Sequence, residues 1–269
     1  MEENEHNLII EELDDIVMNI LHDKCVNIEK NDESSDGNVY IIETIGNKYV
    51  AKVYEDKEHA ESMILLHKSL PLLISVPKLI YTNYECINDS KKYYIVIYSF
   101  INGKPIDKTL NDGKVGNDTI ISVAKLVRKM HDMTLSGNKF KLPELPFDTI
   151  NKRKTLLHFD LTKSNIFLDE CSNISIIDFD DAMYGSAIYD IAILISTFFF
   201  SKSRGIDIDG MNIFLDAYYG NDLNLKNEEI NYIKECSIQW IDYLISNNKL
   251  SQNLIDSFKI KRTLISENL

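Results

Sequence analysis

The chain has 269 residues, 44% of them hydrophobic and 26% charged, which is the composition of an ordinary soluble globular protein able to bury a sizeable core. A formal net charge of −13 argues against nucleic-acid binding, because a polyanionic backbone would be repelled unless a basic surface were set apart, and the only tight basic cluster is Lys152-Arg153-Lys154. The acidic start MEENEHN lacks the basic and apolar features of a secretory leader, and the most apolar run, 191–200, is too short for the roughly 20 residues of a membrane-spanning helix. The expectation is a cytoplasmic protein with no nucleic-acid and no membrane partner. Cys25, Cys86, Cys171 and Cys236 lie far apart and form no C-x-x-C pair, so they read as thiols.

From the amino terminus, Leu8, Ile9, Leu13, Ile16, Val17, Ile20 and Leu21 recur at helical spacing and predict an amphipathic helix over 8–22. A hairpin follows, 39–45 and 48–54 about a Gly46-Asn47 turn. Lys52 interrupts the apolar strand Tyr49-Val50-Ala51-Lys52-Val53-Tyr54; it is either a solvent-facing residue or a group placed for a ligand. Residues 58–70 have helical spacing, and 78–83 and 93–98 read as strands separated by the turn Asn88-Asp89-Ser90. With a strand before Gly37, these make an antiparallel sheet of about five strands.

In the second part, 119–133 predicts a long helix. The stretch 155–190 then gathers most of the polar groups able to do chemistry. Two β-rich runs, 155–158 and 174–177, each deliver a carboxylate at their ends, Asp160 and Asp178, and Asn165 opens the short apolar run 166–168 between them. Loops held between buried strands can fix an aspartate, an asparagine and a second aspartate close together. That is the set phosphoryl transfer needs: one carboxylate for the attacking hydroxyl, an amide oxygen and a second carboxylate for magnesium.

Here the residues resemble a known family. His158-Phe159-Asp160-Leu161-Thr162-Lys163-Ser164-Asn165 is similar to the kinase catalytic loop H-x-D-L-x-x-x-N, and Ile177-Asp178-Phe179 to the metal-binding D-F motif. Asn165 follows Asp160 by five residues and Asp178 follows Asn165 by thirteen, intervals that suit the aminoglycoside phosphotransferase and choline kinase-like family. Tyr189-Asp190-Ile191-Ala192 resembles that family's YDLA segment, Leu126-Val127-Arg128-Lys129-Met130-His131 its helix end before the catalytic loop, and Phe159 stands where glycine is common.

The resemblance implies an α+β, two-lobe protein-kinase-like fold: a small nucleotide-binding lobe with an antiparallel sheet, 1–100, and a larger, mostly helical lobe for catalysis and substrate, 101–269. It implies ATP- or GTP-dependent transfer of the γ-phosphoryl group to a small-molecule hydroxyl, with Mg²⁺ as cofactor. By position, Asp160 would be the catalytic base, Asn165 and Asp178 the metal ligands, and Lys52 the phosphate-binding lysine, supported by Glu61 with Glu58 as the rival. The segment 34–38 would cover the phosphates, and 99–103 would link the lobes. Asp190 would brace the loop or cap the next helix, and His131 and His158 would be structural. Acceptors in the wider family include aminoglycosides, choline-like alcohols, homoserine and sugars; the short interval between His131 and His158 weighs against an aminoglycoside. Oligomeric state is left open.

Helical patterns continue over 191–200, 211–219, 228–246 and 252–264. Asp207, Asp209 and Asp216 are either helix-end carboxylates or contacts to a cationic substrate, and Trp240 reads as core rather than as a cage for an ammonium group. Two rival readings remain: a nucleotide-binding regulator without transfer, against which the retained lysine, asparagine and aspartates argue, and a protein kinase, which would carry an A-P-E motif that does not occur.

Overall fold

The computed structural model describes residues 2–31, 38–84, 93–109, 115–133, 140–150, 154–201, 205–246 and 251–268. The expected phosphate loop at 34–37, the turn at 88–90, Cys86 and Lys152-Arg153 lie outside them. The chain divides into two compact units, 1–71 with 77–101 and 72–76 with 102–269.

The first unit runs α1 (Glu2–Asn19), β1 (Cys25–Lys30), β2 (Val39–Thr44), β3 (Lys48–Tyr54), α2 (Lys57–Ser69), β4 (Leu79–Thr82) and β5 (Tyr94–Ser99). Its strands form an antiparallel sheet in the order β1-β2-β3-β5-β4. Strand alternation divides β3 between two faces. Ala51 and Val53 join Tyr40, Ile42, Ile95 and Ile97 on the face covered by Ile9, Leu13, Ile16 and Val17 of α1. Lys52 and Tyr54 point to the other face, where α2 packs: the Tyr54 ring lies 5.2 Å from His59, and the Tyr98 ring 4.6 Å from His67. Asp56 starts α2 by accepting from the His59 N–H at 2.6 Å. The first helix begins before the predicted 8–22 because His6 stacks on Tyr40, an anchor that apolar periodicity does not register.

The second unit contains β6 (Lys104–Pro105), α3 (Ile106–Thr109), α4 (Asn117–His131), β7 (Lys154–Leu157), β8 (Ile166–Leu168), β9 (Ile174–Ile176), β10 (Met183–Ser186) and α5 (Ile188–Thr197). After them come β11 (Phe200–Ser201), β12 (Gly205–Ile206), α6 (Ile208–Tyr219), α7 (Leu223–Ser246) and α8 (Gln252–Asn268). The small sheets are β6-β8-β9, β10-β7 and β11-β12. Gly103 leads into β6 with φ +131°, and a Cβ there would sit 2.7 Å from the Leu168 carbonyl oxygen, so the close approach of β6 to β8 requires glycine. The run 191–195 is wholly buried, which makes α5 the central helix, against which α7 packs. Trp240 of α7 is buried edge-on against Phe258 of α8.

The architecture is the α+β one expected, an antiparallel sheet with its helices in one unit and a mostly helical second unit. The strands not anticipated, β6 and β10 to β12, have two to four residues, too few for a period-two pattern. Among the described residues, no helix is long and apolar enough to cross a membrane, and Cys25, Cys171 and Cys236 are free thiols. Because Leu13 is fully buried against the sheet, Leu13→Ala is expected to destabilise the protein by about 2–5 kcal/mol, whereas Met18→Ala on the exposed side should stay within about 0.5 kcal/mol. Urea unfolding of the two variants would check this; equal midpoints would mean that α1 is not part of the core.

Candidate active site

Two of the three polar groups are brought together by one hairpin. Strands β8 and β9 pair with Ile166 opposite Ile176, so Asn165, just before β8, and Ile177, just after β9, meet at its open end. The Ile177 N–H donates to the Asn165 carbonyl at 3.0 Å. Asn165 and Asp178 are thirteen positions apart in sequence, while the ladder makes them neighbours. The Ile177 carbonyl in turn accepts from His158 Nε2 at 2.8 Å, which ties the 158–165 loop to the residue preceding Asp178. With Nε2 donating, His158 Nδ1 accepts the Asp160 N–H at 3.2 Å. His158 is thus a fully buried histidine that holds the Asp160 backbone and the carbonyl of the residue before Asp178.

Asn165 holds Asp160 directly. Its Nδ2 lies 2.7 Å from Asp160 Oδ2 and 3.1 Å from the Asp160 carbonyl oxygen. A carbonyl oxygen only accepts, so the amide must present its nitrogen here and turn Oδ1 the other way. The second side of the loop is held by Asp190, in the first turn of α5 and fully buried. Its Oδ2 accepts from the His158 N–H at 2.9 Å and its Oδ1 from the Phe159 N–H at 2.9 Å, and His131 Nε2 lies 3.0 Å from Oδ2. Of the two roles expected for Asp190, the loop brace is the one found; the residue capping the start of α5 is Ala187, which makes no side-chain cap bond. Thr155 of β7 donates to the His131 carbonyl at 2.8 Å, so the end of α4, the start of β7 and α5 converge on this point.

These contacts hold strained backbone. Phe159 and Asp178 both adopt left-handed conformations, with φ of 64° and 66°. Such a φ is unfavourable for a residue with a Cβ, persists only where surrounding contacts impose it, and concentrates at active sites. Phe159 therefore takes the conformation that explains glycine at this position in the resembled family, with the Asp190 bond and a buried ring as compensation. Asp160 is electrostatically stressed as well. Burial pushes its pKa up; the His158 side chain and the Asn165 amide pull it down, while the charges of Asp178 and Asp190 raise it further. It is a carboxylate held above its ordinary range, the direction expected of a general base.

Lys52 and Glu61 belong to the first unit. Lys52 sits on β3 opposite Val39 and Val96, on the sheet face over which α2 lies, and Glu61 on α2 is half-buried whereas Glu58 is exposed. Of the other carboxylates considered, Asp207 caps α6 by accepting from the Gly210 N–H at 3.1 Å, Asp216 pairs with Lys226, and Asp209 is exposed in the first turn of α6. Lys154 of the basic cluster pairs with Glu144 at 2.8 Å. Among the described residues, no three His, Cys, Asp or Glu side chains are placed to hold a metal ion. The donors at hand, Asn165 Oδ1 and the Asp178 carboxylate, are hard oxygen ligands of the number that suits Mg²⁺ delivered with phosphates rather than caged by protein alone.

Two features escape sequence reading: β10, which pairs with β7 and returns the chain so that α5 passes beneath the loop, and Tyr218 of α6, whose hydroxyl lies 2.7 Å from His131 Nδ1. The first has too short a pattern to register, and nothing in the sequence marks the second.

No curated protein matches the sequence. The phosphotransferase enzyme family matches residues 140–219, the span that carries Asp160, Asn165, Asp178 and Asp190. Among solved structures, the chain is similar to the GDP complex of aminoglycoside 2'-phosphotransferase-IIIa, at 14% identity and a TM-score of 0.63 over 97% of this chain and 99% of that one. It is similar to spectinomycin phosphotransferase in complex with ADP and spectinomycin, at 16% identity and a TM-score of 0.62 over 96% and 93%. It is also similar to amicoumacin kinase in complex with AMP-PNP and Ca²⁺, at 15% identity and a TM-score of 0.62 over 90% and 88%. From end to end the chain thus has the kinase-like fold of the aminoglycoside phosphotransferases, and its residues 140–219 carry the sequence pattern of the phosphotransferase enzyme family.

Proposed function

We propose that the protein is a small-molecule kinase that transfers the γ-phosphoryl group of ATP or GTP to a substrate hydroxyl. The observation that carries this reading is the fixed constellation of Asp160, Asn165 and Asp178: a base with a raised pKa, an amide oxygen and a second carboxylate, all tied to one buried framework. Solved structures of the same fold that hold GDP, ADP or AMP-PNP with Ca²⁺ support a nucleotide donor and a divalent ion.

In this reading Asp160 orients the acceptor hydroxyl and takes its proton as the new oxygen–phosphorus bond forms and the bond to the departing nucleoside diphosphate breaks. Asn165 positions Asp160 through Nδ2 and, with the carboxylate of Asp178, offers oxygen ligands to Mg²⁺. When bound, that ion neutralises charge on the phosphates. Lys52, supported by Glu61, holds the nucleotide phosphates. The braced loop and the raised pKa of the half-buried Asp160 favour transfer over a regulator that only binds nucleotide, since binding alone has no use for a base. The acceptor class is a small-molecule alcohol, with spectinomycin, kanamycin, amino alcohols, homoserine and sugars as the compounds to test.

Release of ADP or GDP in the presence of Mg²⁺ and this panel is the test. Acceptor-dependent release is expected, with Asp160→Asn reducing turnover by about 10²–10⁴-fold at nearly unchanged nucleotide affinity; equal turnover would remove Asp160 from the mechanism. Lys52→Ala should weaken nucleotide binding in a titration, and unchanged binding would return Lys52 to a surface role.

Stability gives a check independent of substrate. The raised pKa of Asp160 means that its ionised form costs the fold stability above that pKa, a cost absent below the ordinary value of 3.8, where both states are protonated. Asp160→Asn is therefore expected to melt higher than the natural protein near pH 7, with the difference closing as the pH falls towards 4. A lower melting temperature at neutral pH would contradict the assigned electrostatics.

A further inference from the structure

The brace under the catalytic loop does not end at Asp190. His131, buried like Asp190, has both ring nitrogens engaged: Nε2 lies 3.0 Å from Asp190 Oδ2 and Nδ1 lies 2.7 Å from the Tyr218 hydroxyl. A carboxylate oxygen already accepting a backbone N–H calls for a donor from the ring, so Nε2 carries the hydrogen and, in the neutral ring, Nδ1 accepts from the tyrosine. One directed chain thus runs from the Tyr218 O–H through the imidazole to Asp190 and on to the N–H groups of His158 and Phe159, the two residues that precede Asp160.

We propose that Tyr218 is a positioning residue for phosphoryl transfer, acting through His131 and Asp190 on the backbone that carries Asp160. The proposal rests on the kinase reading for its function, though not for its geometry. The tyrosine is suited to the task because its ring cannot turn away. It is buried, stacks on Phe214 at 6.0 Å, meets Tyr219 edge-on at 4.9 Å, and lies under the Arg128 guanidinium at 5.4 Å. Its hydroxyl fixes which imidazole nitrogen is protonated. Without it, Nδ1 faces no phenol donor, and the ring loses the contact that aims Nε2–H at Asp190. The left-handed Phe159, held in place by the same carboxylate, is the segment with most to lose. Tyr219 supplies a built-in comparison: it is the next residue, equally buried, and its hydroxyl donates to Glu229 at 2.7 Å instead of entering this chain.

The test measures hydrogen exchange at the His158 and Phe159 amides, together with Mg²⁺-dependent hydrolysis of ATP and GTP, in Tyr218→Phe and Tyr219→Phe. Tyr218→Phe is expected to speed exchange at those two amides by about fivefold to tenfold, the change one hydrogen bond is worth. It should also lower turnover by a similar factor at unchanged nucleotide KM. Tyr219→Phe should leave both readouts as in the natural protein. Exchange unchanged in Tyr218→Phe, the same change in both variants, or faster exchange spread across the whole second unit would overturn the proposal. If Tyr218→Phe did not fold, fluorinated tyrosine at position 218 would keep the shape, alter the hydroxyl's donor strength, and be read at the same amides. Hydrolysis unaffected by Asp160→Asn would sink the kinase reading, while amide exchange, which needs no acceptor, would still decide this one.

Discussion

The interaction on which the site depends is a buried carboxylate answering two backbone N–H groups. Asp190 accepts from His158 and Phe159 in a region with no exposure to water, so its loss would strand donors whose desolvation costs about 1–3 kcal/mol each. That cost explains how the chain tolerates a phenylalanine in a left-handed conformation immediately before Asp160. The remaining contacts follow the same logic. His158 spends one ring nitrogen on the Asp160 N–H and the other on the Ile177 carbonyl, and Asn165 spends its backbone carbonyl on the Ile177 N–H and its side-chain Nδ2 on Asp160.

Such a framework lets the protein keep a carboxylate where the fold alone would not place one. Asp160 is half-buried, and its desolvation and the charges of Asp178 and Asp190 all raise its pKa. In the proposed kinase, the arrangement would trade stability for a carboxylate able to take a proton. Asp207 and Asp216, by contrast, cap a helix and pair with a lysine.

Much of this is legible in the sequence because it is written in local patterns. The hairpin 39–54, the helix over 58–70 and the long apolar helices show in period-two and helical spacing, and Asp160, Asn165 and Asp178 stand out as polar interruptions at the ends of apolar runs. What is not legible is tertiary. The pairing of β7 with β10, the glycine forced at Gly103 by the Leu168 carbonyl, and the meeting of His131 with Tyr218 across 87 positions leave no periodic trace. The choice between Glu58 and Glu61 is of the same kind: spacing favours Glu61 without deciding it, and their exposure differs once α2 is laid on its sheet.

The most direct test of the account is whether a divalent ion needs both nucleotide and this constellation. Manganese in place of magnesium gives an electron paramagnetic resonance signal that reports the free ion. The account predicts that the protein removes that signal strongly when ATP or GTP is present and weakly without it, and that Asp178→Ala abolishes the protein's share of the uptake while the nucleotide's own share remains. Undiminished uptake by the Asp178→Ala protein would contradict the assignment of these residues to phosphoryl transfer.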